Sequence, residues 1–185
     1  MTTKFPSHIH LSRETRSQLV EMLNSCLATA VDLHWQVKQA HWNIRGTHFL
    51  SRHLLFDQVA KHVYEQADEF AERAGALGGY AEGTIRLATR NTELEEYDLS
   101  AVDGEQHIRV VVERVARYAA TVREGIQRSD DLKDPVTTDL LTKVLGAVEQ
   151  DLWFLESHMY GASAAYREET APSDIREEGL SPSDA

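Results

Sequence analysis

The fold is decided by residues 53–79, which read HLLFDQVAKHVYEQADEFAERAGALGG. Apolar residues recur along this stretch at steps of three and four, the spacing of one face of an α-helix that packs in a bundle. The stretch closes on Gly78 and Gly79, and glycine readily takes the left-handed conformation that ends a helix. It therefore predicts one long amphipathic helix. The apolar stripe of this helix consists of Phe56, Ala60, Val63, Ala67, Phe70, Ala74 and Leu77.

Three other segments carry the same helical periodicity. One precedes the stretch, with a stripe over residues 19–40 and Ser12 as a candidate cap. A third helix follows Asp103, and a fourth begins at Asp134 and Pro135, an N-cap followed by proline at the first helical position. The stripes of these helices are Leu19, Leu23, Cys26, Ala30, Leu33, Val37 and Ala40; then Ile108, Val111, Val115, Tyr118, Val122 and Ile126; then Leu140, Leu141, Val144, Val148, Leu152, Leu155 and Met159.

The connections between the four helices are short, long and short in chain order. This is the connectivity of an all-α, ferritin-like four-helix bundle with one long crossover. The crossover is broken and polar, and a short helix is predicted within it at residues 94–99. We expect one bundle domain at residues 12–160, an N-terminal extension at residues 1–11, and an acidic, flexible C-terminal tail at residues 161–185.

The charge balance and the composition disfavour several classes of protein. The 185 residues include 30 acidic and 19 basic side chains, and the formal net charge of -11 disfavours general affinity for DNA or acidic lipid surfaces. The single cysteine, Cys26, excludes an intramolecular disulfide framework, and we expect it to be a small apolar residue in a helix core. No apolar run approaches the roughly 18 residues of a membrane span. The sequence predicts a soluble cytoplasmic protein, with association with the nucleoid as the alternative.

The central helix also carries two pairs of polar side chains that could bind a metal ion. His53 and Asp57 are four residues apart, as are Asp68 and Glu72, and all four fall on one face, away from the apolar stripe. Acidic pairs at this spacing are common on solvated helix faces, which is the alternative interpretation. One histidine and three carboxylates, in two such pairs on one face, favour a site for divalent iron.

The distance between the two pairs requires a second copy of the chain. Asp57 and Asp68 are 11 residues apart, which is about 16 Å along a helix at about 1.5 Å per residue, whereas ligands lie roughly 2 Å from a metal ion. If this helix pairs antiparallel with its own copy, His53 and Asp57 of one chain meet Asp68 and Glu72 of the other. A two-fold dimer then contains two equal sites. No histidine follows a glutamate by three residues, so the Glu-x-x-His motif of metal sites inside bundles is absent from the sequence.

Several motifs together resemble those of the Dps family, the DNA-binding proteins from starved cells, also called miniferritins. They are His41-Trp42-Asn43-Ile44-Arg45-Gly46, His53 twelve residues after His41, Phe56-Asp57, Asp68-x-x-x-Glu72-Arg73, Leu77-Gly78-Gly79 and Leu152-Trp153-Phe154-Leu155-Glu156. The resemblance covers about residues 12–160, and it is specific because residue types and spacings agree together.

The resemblance implies a hollow dodecamer of two-fold dimers with a ferroxidase site between subunits. His41, His53 and Asp57 would come from one subunit, and Asp68 and Glu72 from its partner. Such a site would bind up to two iron ions, oxidise Fe²⁺ preferentially with hydrogen peroxide, and store ferric mineral in the cavity, which protects the cell from oxidative damage. Zinc and manganese are the metals that could replace iron.

Trp42 has two interpretations. Beside His41, it could quench stray oxidising equivalents, as its family counterpart is thought to do. The alternative is an aromatic side chain that packs at the interface between subunits.

The resemblance also implies a pore for iron near the start of the fourth helix. Asp130, Asp131, Asp134 and Asp139 cluster there, and a ring of carboxylates would concentrate Fe²⁺. Asp139 is the first candidate, because Asp134 has a competing explanation as an N-cap.

Other polar residues could support a metal site. His8 and His10 alternate in the N-terminal segment and could bind a second metal ion, although an ordinary terminal segment is the alternative. His34, Tyr64 and Lys61 could orient the ligands by hydrogen bonds.

The charges of the two terminal segments disfavour the DNA binding that the family's name mentions. The N-terminal segment offers only Lys4, Arg13 and Arg16, and the chain from Gly161 has six acidic residues and two arginines. We therefore predict weak or absent DNA binding. The alternatives to a ferroxidase are a nucleoid-associated protein that protects DNA, with metal binding secondary, and a metal-free helical oligomer.

Overall fold

Five helices account for most of the computed structural model, which describes residues 3–160. They are α1 (Arg13–Asn43), α2 (Phe49–Ala76), α3 (Ile85–Asn91), α4 (Gly104–Asp131) and α5 (Pro135–Ser157). Within residues 3–160 the only β-type pairing is an isolated bridge between Thr3 and Gly79. The predicted all-α class is thus confirmed, whereas the predicted C-terminal tail lies outside the described residues.

The four long helices form the predicted bundle. Helix α1 packs against α2 and α4, and α5 packs against α4 and α2. The crossover, residues 77–103, carries α3 across the outside of α1. No helix between residues 3 and 160 is long and apolar enough to cross a membrane.

The core of the bundle is built from the predicted stripes. Every stripe residue of the first two helices is buried, from Leu19 to Ala40 in α1 and from Phe56 to Leu77 at the end of α2. The stripes of α4 and α5 are also buried, apart from the partly buried Ile126, Leu140 and Leu152. Cys26 is buried in α1, which confirms its expected place in a helix core, and this burial raises the pKa of its thiol to about 12.

The ends of α1 and α2 follow from residues that the sequence identified. The Ser12 side chain accepts a hydrogen bond from the Thr15 amide at 3.0 Å and caps α1. At the end of α2, Gly78 has a φ of 80°, and its amide donates to the carbonyl of Gly75. A Cβ on Gly78 would lie only 2.6 Å from the carbonyl oxygen of Phe5. Glycine is therefore required there for both its backbone conformation and its size.

The short helix of the crossover was predicted at the wrong place. Helix α3 spans Ile85–Asn91, where the Thr84 hydroxyl caps it, and residues 94–99 contain no helix. Leu94 and Tyr97 are both buried, but the segment that joins them has no regular secondary structure. The Tyr97 hydroxyl is hydrogen-bonded to Nδ1 of His107 at 2.6 Å. Side chains three residues apart thus contact the core without a helical backbone between them.

The N-terminal extension is attached to the end of α2. The amides of Lys4 and Phe5 both donate to the carbonyl of Gly78 at 3.0 Å. Arg16, at the start of α1, donates to the carbonyl of Leu77 at 2.9 Å. These bonds use carbonyls that the end of a helix leaves without partners, and they hold the extension on the bundle.

Asp134 precedes α5, but its side chain does not cap the helix as predicted. Its carboxylate accepts hydrogen bonds from the Thr137 hydroxyl and from the Arg73 guanidinium, the latter at 2.7 Å, and it is only 3% exposed. Burial alone would raise the pKa of Asp134, but the hydrogen bonds from Thr137 and Arg73 outweigh burial and lower this pKa. Because this pairing turns the carboxylate of Asp134 toward the bundle, Asp134 is no longer a candidate for the predicted pore.

We predict that Asp134→Ala destabilises the protein by about 3 kcal/mol, because it leaves the mostly buried Arg73 without its carboxylate. Thermal unfolding of the assembled protein at fixed concentration measures the loss. The loss should disappear as the pH falls through the lowered pKa of Asp134, since a protonated Asp134 no longer pairs with Arg73. The matched control is Asp139→Ala on the exposed side of α5, which should change stability by less than about 0.5 kcal/mol. Equal effects of the two variants would contradict the prediction.

Candidate metal centre

Two predicted ligands, His41 and His53, lie together where α1 ends and α2 begins. Nδ1 of His41 is 2.8 Å from the carbonyl oxygen of His53, and Nδ1 of His53 is 2.9 Å from the carbonyl oxygen of His41. The two rings are stacked, with centroids 3.7 Å apart and an interplanar angle of 22°. The pair of hydrogen bonds therefore fixes the rings to each other and ties the two helices together.

These hydrogen bonds also determine which ring nitrogens can bind a metal ion. A carbonyl oxygen can only accept, so Nδ1 of each ring must donate its hydrogen. In the neutral ring Nε2 then carries the free lone pair, which is the atom that binds a metal ion. Both histidines are thus held in the tautomer suited to coordination.

Asp57 lies one helical turn from His53 and faces His41. Its Oδ1 is 3.9 Å from Nε2 of His41 and accepts a hydrogen bond from Nζ of Lys38 at 2.7 Å. The hydrogen bond from Lys38 is the main cause that lowers the pKa of Asp57, and the positive charge of Lys38 acts in the same direction. Asp57 is therefore held as a carboxylate, which is the form that binds cations.

The other predicted ligands, Asp68 and Glu72, lie on α2 away from these three. Both side chains are exposed, and neither has a hydrogen bond or ion pair with another residue in the range 3–160. Within that range, no three His, Cys, Asp or Glu side chains converge closely enough in one chain to hold a metal ion. One subunit brings together His41, His53 and Asp57 and leaves Asp68 and Glu72 apart. The five-ligand set remains a prediction.

An apolar groove adjoins Asp68. It has a volume of about 500 Å³, and its walls include Trp35, Tyr64 and Ile85. All three of these side chains are highly exposed, with Tyr64 at 65%. Trp42 lies on the same side of α1 as Trp35, with ring centroids 6.3 Å apart. Exposed aromatic surface of this kind is typical of an interface with another protein chain.

The residues predicted to orient the ligands have other partners in the subunit. His34 is hydrogen-bonded through Nδ1 to the carbonyl oxygen of Ala60 at 2.8 Å, and its ring contacts Tyr64. Lys61 is 3.9 Å from Glu65 on the same helix. Lys38, by contrast, contacts a predicted ligand directly. The spacing of Lys38 and His41 on one face of α1 was the signal that could have identified it.

The remaining candidates stay predictions. Asp130, Asp131 and Asp139 are exposed near the loop between α4 and α5, where a pore could be lined by neighbouring subunits. His8 and His10 are exposed in the N-terminal extension, and the described residues give them no third ligand.

Comparison with known proteins places this fold and these residues in a family. The model of the ferritin-like domain matches residues 20–161. The "DNA protection during starvation protein" of Agrobacterium fabrum is 34% identical over 149 residues, which cover 80% of this chain and 92% of that protein. The structure of DpsA14 from Streptomyces coelicolor aligns with a TM-score of 0.82 and 30% identity over 88% of this chain and 95% of that chain. Dps from Microbacterium arborescens, described as in the high iron form, aligns with a TM-score of 0.74 and 26% identity over 79% of this chain and 95% of that chain. The chain therefore belongs to the Dps branch of the ferritin-like family.

Proposed function

We propose that the protein is a ferroxidase and iron-storage subunit that oxidises Fe²⁺ at a site shared by two copies of the chain. The observation that carries the proposal is the fixed pair His41 and His53 beside the ionised Asp57. It forms one half of a site, and Asp68 and Glu72 carry the chemistry of the other half.

The complementary halves determine how two copies would pair. The spacing from His53 to Asp57 equals that from Asp68 to Glu72. One antiparallel register of α2 with its copy therefore places His53 opposite Glu72 and Asp57 opposite Asp68 at the same time. The two-fold axis would cross α2 between residues 62 and 63. Each pair of chains would then hold two sites.

The same register matches large side chains with small ones. Leu54 is 59% exposed and would lie opposite Ala71, and Leu50 is 64% exposed and would lie opposite Gly75. A Cβ built on Gly75 has no atom of its own chain within 4 Å, so the space beside it is open to a partner. This complementarity, which was not used to choose the register, supports it.

Charge gives a second reason for a cation at this interface. The pairing would bring Asp57, Asp68 and Glu72 together, and carboxylates that lose water without a counterion are costly. A divalent cation bound between them balances that charge. Lys38 neutralises Asp57 within one subunit, so an incoming Fe²⁺ competes with this ammonium group.

The donor set suits the oxidation of iron. Carboxylate oxygens stabilise Fe³⁺ more than Fe²⁺, which makes the electron easier to remove, while the neutral imidazoles of His41 and His53 add affinity without charge. With two iron ions at a site, each Fe²⁺ gives one electron to hydrogen peroxide. The O–O bond breaks and two hydroxide ions form, so no hydroxyl radical is released. Iron is the substrate here, and zinc or manganese would compete for the same ligands.

Membership of the family supports a proposal for assembly and storage. We propose that two-fold dimers build a hollow cage of 12 subunits in which the oxidised iron collects, in the cytoplasm. The relative described in a high iron form supports storage. We propose that the exposed Asp130, Asp131 and Asp139 line the entry pores of the cage. We propose that Trp42, which is 53% exposed beside His41, quenches stray oxidants.

The competing function is protection of DNA by direct binding, which the names of the relatives suggest. The formal net charge of -11 opposes it, because binding to the phosphate backbone depends on lysine and arginine. The N-terminal extension is held on the end of α2 by Lys4 and Phe5 rather than extended into solvent. We therefore propose that protection comes from the removal of Fe²⁺ and peroxide.

The first test removes one half of the site. Asp68→Asn combined with Glu72→Gln keeps side-chain size but removes two ligand charges, so the initial rate of ferric absorbance after Fe²⁺ and peroxide should fall about tenfold or more. The amount of iron retained per cage should fall with it. The matched control, Glu65→Gln on the same helix, should oxidise iron at the unchanged rate. Unchanged oxidation in the double variant would reject the site.

The second test addresses the register. Leu54→Glu would place a carboxylate against Ala71 of the partner subunit, so we expect dissociation of the two-fold pair and loss of oxidation, although every ligand is intact. Native mass spectrometry and the same absorbance assay measure the two effects. Adding Ala71→Lys should restore both in part, because opposite charges then face each other. Leu99→Glu on the exposed crossover is the control. Unchanged assembly and activity in Leu54→Glu would show that the register is wrong.

The third test concerns DNA. We expect the assembled protein to leave linear duplex DNA unretarded in a gel-shift assay at about 0.15 M salt, because its negative charge repels phosphate. A polylysine sample at the same salt serves as the positive control. Retardation at this salt would favour the competing function.

A further inference from the structure

Arg52 is a buried charge without an acceptor. Its residue is only 7% exposed, and Nε has no hydrogen-bond partner. Among residues 3–160, the guanidinium donates no hydrogen bond and forms no ion pair. Arginine is almost never buried unless it is paired, because a charge removed from water without a partner is costly. The burial of Arg52 therefore indicates a missing anion.

Other poorly exposed arginines show what Arg52 lacks. Arg16 and Arg114 each have an unpaired Nε, like Arg52, but each donates from a terminal nitrogen to a backbone carbonyl. Arg73 pairs with the carboxylate of Asp134. Arg52 has none of these compensations.

The guanidinium lies against the start of α4. A Cβ built on Gly104 would be 2.5 Å from the Nη1 atom of Arg52, so the group occupies the space that a side chain would fill. Asp103, the acidic residue directly before Gly104, does not neutralise the guanidinium. The carboxylate of Asp103 instead accepts from the amides of Glu105 and Gln106 and caps the helix.

Two histidines lie at the same end of the bundle as Arg52. His48 precedes it by one helical turn, and His158 follows the end of α5. Burial, followed by the positive charges of Arg52 and His48, lowers the pKa of His158. The positive charges of Arg52 and His48 therefore both act on His158.

We propose that Arg52, His48 and His158 form a binding site for a tetrahedral oxyanion such as inorganic phosphate. The planar fork of arginine donates two parallel hydrogen bonds to two oxygens of phosphate. Two imidazoles add donors, and a dianion balances more positive charge than a single carboxylate does. The site is separate from the iron site, because adjacent residues of a helix point about 100° apart and His53 faces His41.

Titration of inorganic phosphate into the full-length, assembled protein tests the proposal. Calorimetry at constant ionic strength in chloride buffer should show saturable binding. Arg52→Gln should weaken it about tenfold or more, and Arg52→Lys should weaken it less, because the charge remains but the fork is lost. Phosphate should also raise the unfolding temperature of the unmodified chain and not that of Arg52→Gln.

Two further variants keep the test decisive. Arg86→Gln removes an exposed arginine from α3 and should leave phosphate binding unchanged. His158→Gln changes the residue that follows the last turn of α5 and should weaken phosphate binding severalfold. Circular dichroism and native mass are recorded for each variant, so a loss of fold or assembly is recognised.

Three results would overturn the proposal. One is the absence of phosphate binding to the unmodified protein at millimolar concentration. Another is equal binding by Arg52→Gln or His158→Gln and the unmodified chain. The third is stabilisation by acetate as large as that by phosphate, which would assign Arg52 to a carboxylate, either from a second copy or from residues 161–185. A change in assembly of Arg52→Gln without phosphate binding would favour the second copy.

Discussion

The candidate site depends most on the two hydrogen bonds by which His41 and His53 bind each other's backbone. They join the last turn of α1 to the first turn of α2 at 2.8 and 2.9 Å. The helices therefore cannot slide against each other without the loss of both bonds. The same bonds direct both Nε2 atoms away from the backbone. The junction between α1 and α2 and the orientation of two candidate ligands thus depend on the same contact.

The sequence predicted the bundle well because burial and helical periodicity agree along each long helix. The stripe residues of α1 and α2 are all buried, and Ser12 and Gly78 end their helices where expected. Helix α3 was misplaced because Leu94 and Tyr97 repeat at helical spacing for a tertiary reason. Periodicity shows which side chains meet the core, and over one turn it does not determine the backbone between them.

The candidate site was predicted less completely, since its partners come from different helices. His41, His53 and Asp57 lie together as the sequence suggested. The contact of Lys38 with Asp57 depends on how α1 crosses α2, and a residue pattern within one helix does not contain that angle. Asp134 is a second example. Its position in the sequence indicated a helix cap, but its carboxylate forms an ion pair with Arg73 from another helix. Which carboxylate is paired depends on whether a long basic side chain from another helix can reach it. The spacing of residues within one helix does not contain that distance.

The division of the ligands into two halves on α2 has a genetic consequence under the proposed pairing. A subunit damaged only at His53 and a subunit damaged only at Glu72 would form, when mixed, pairs in which one site carries both defects and the other carries none. Two inactive alleles could therefore complement each other within a single cage. A subunit damaged in both halves would instead disable both sites of every pair it joins, so it would act dominantly over an unmodified copy.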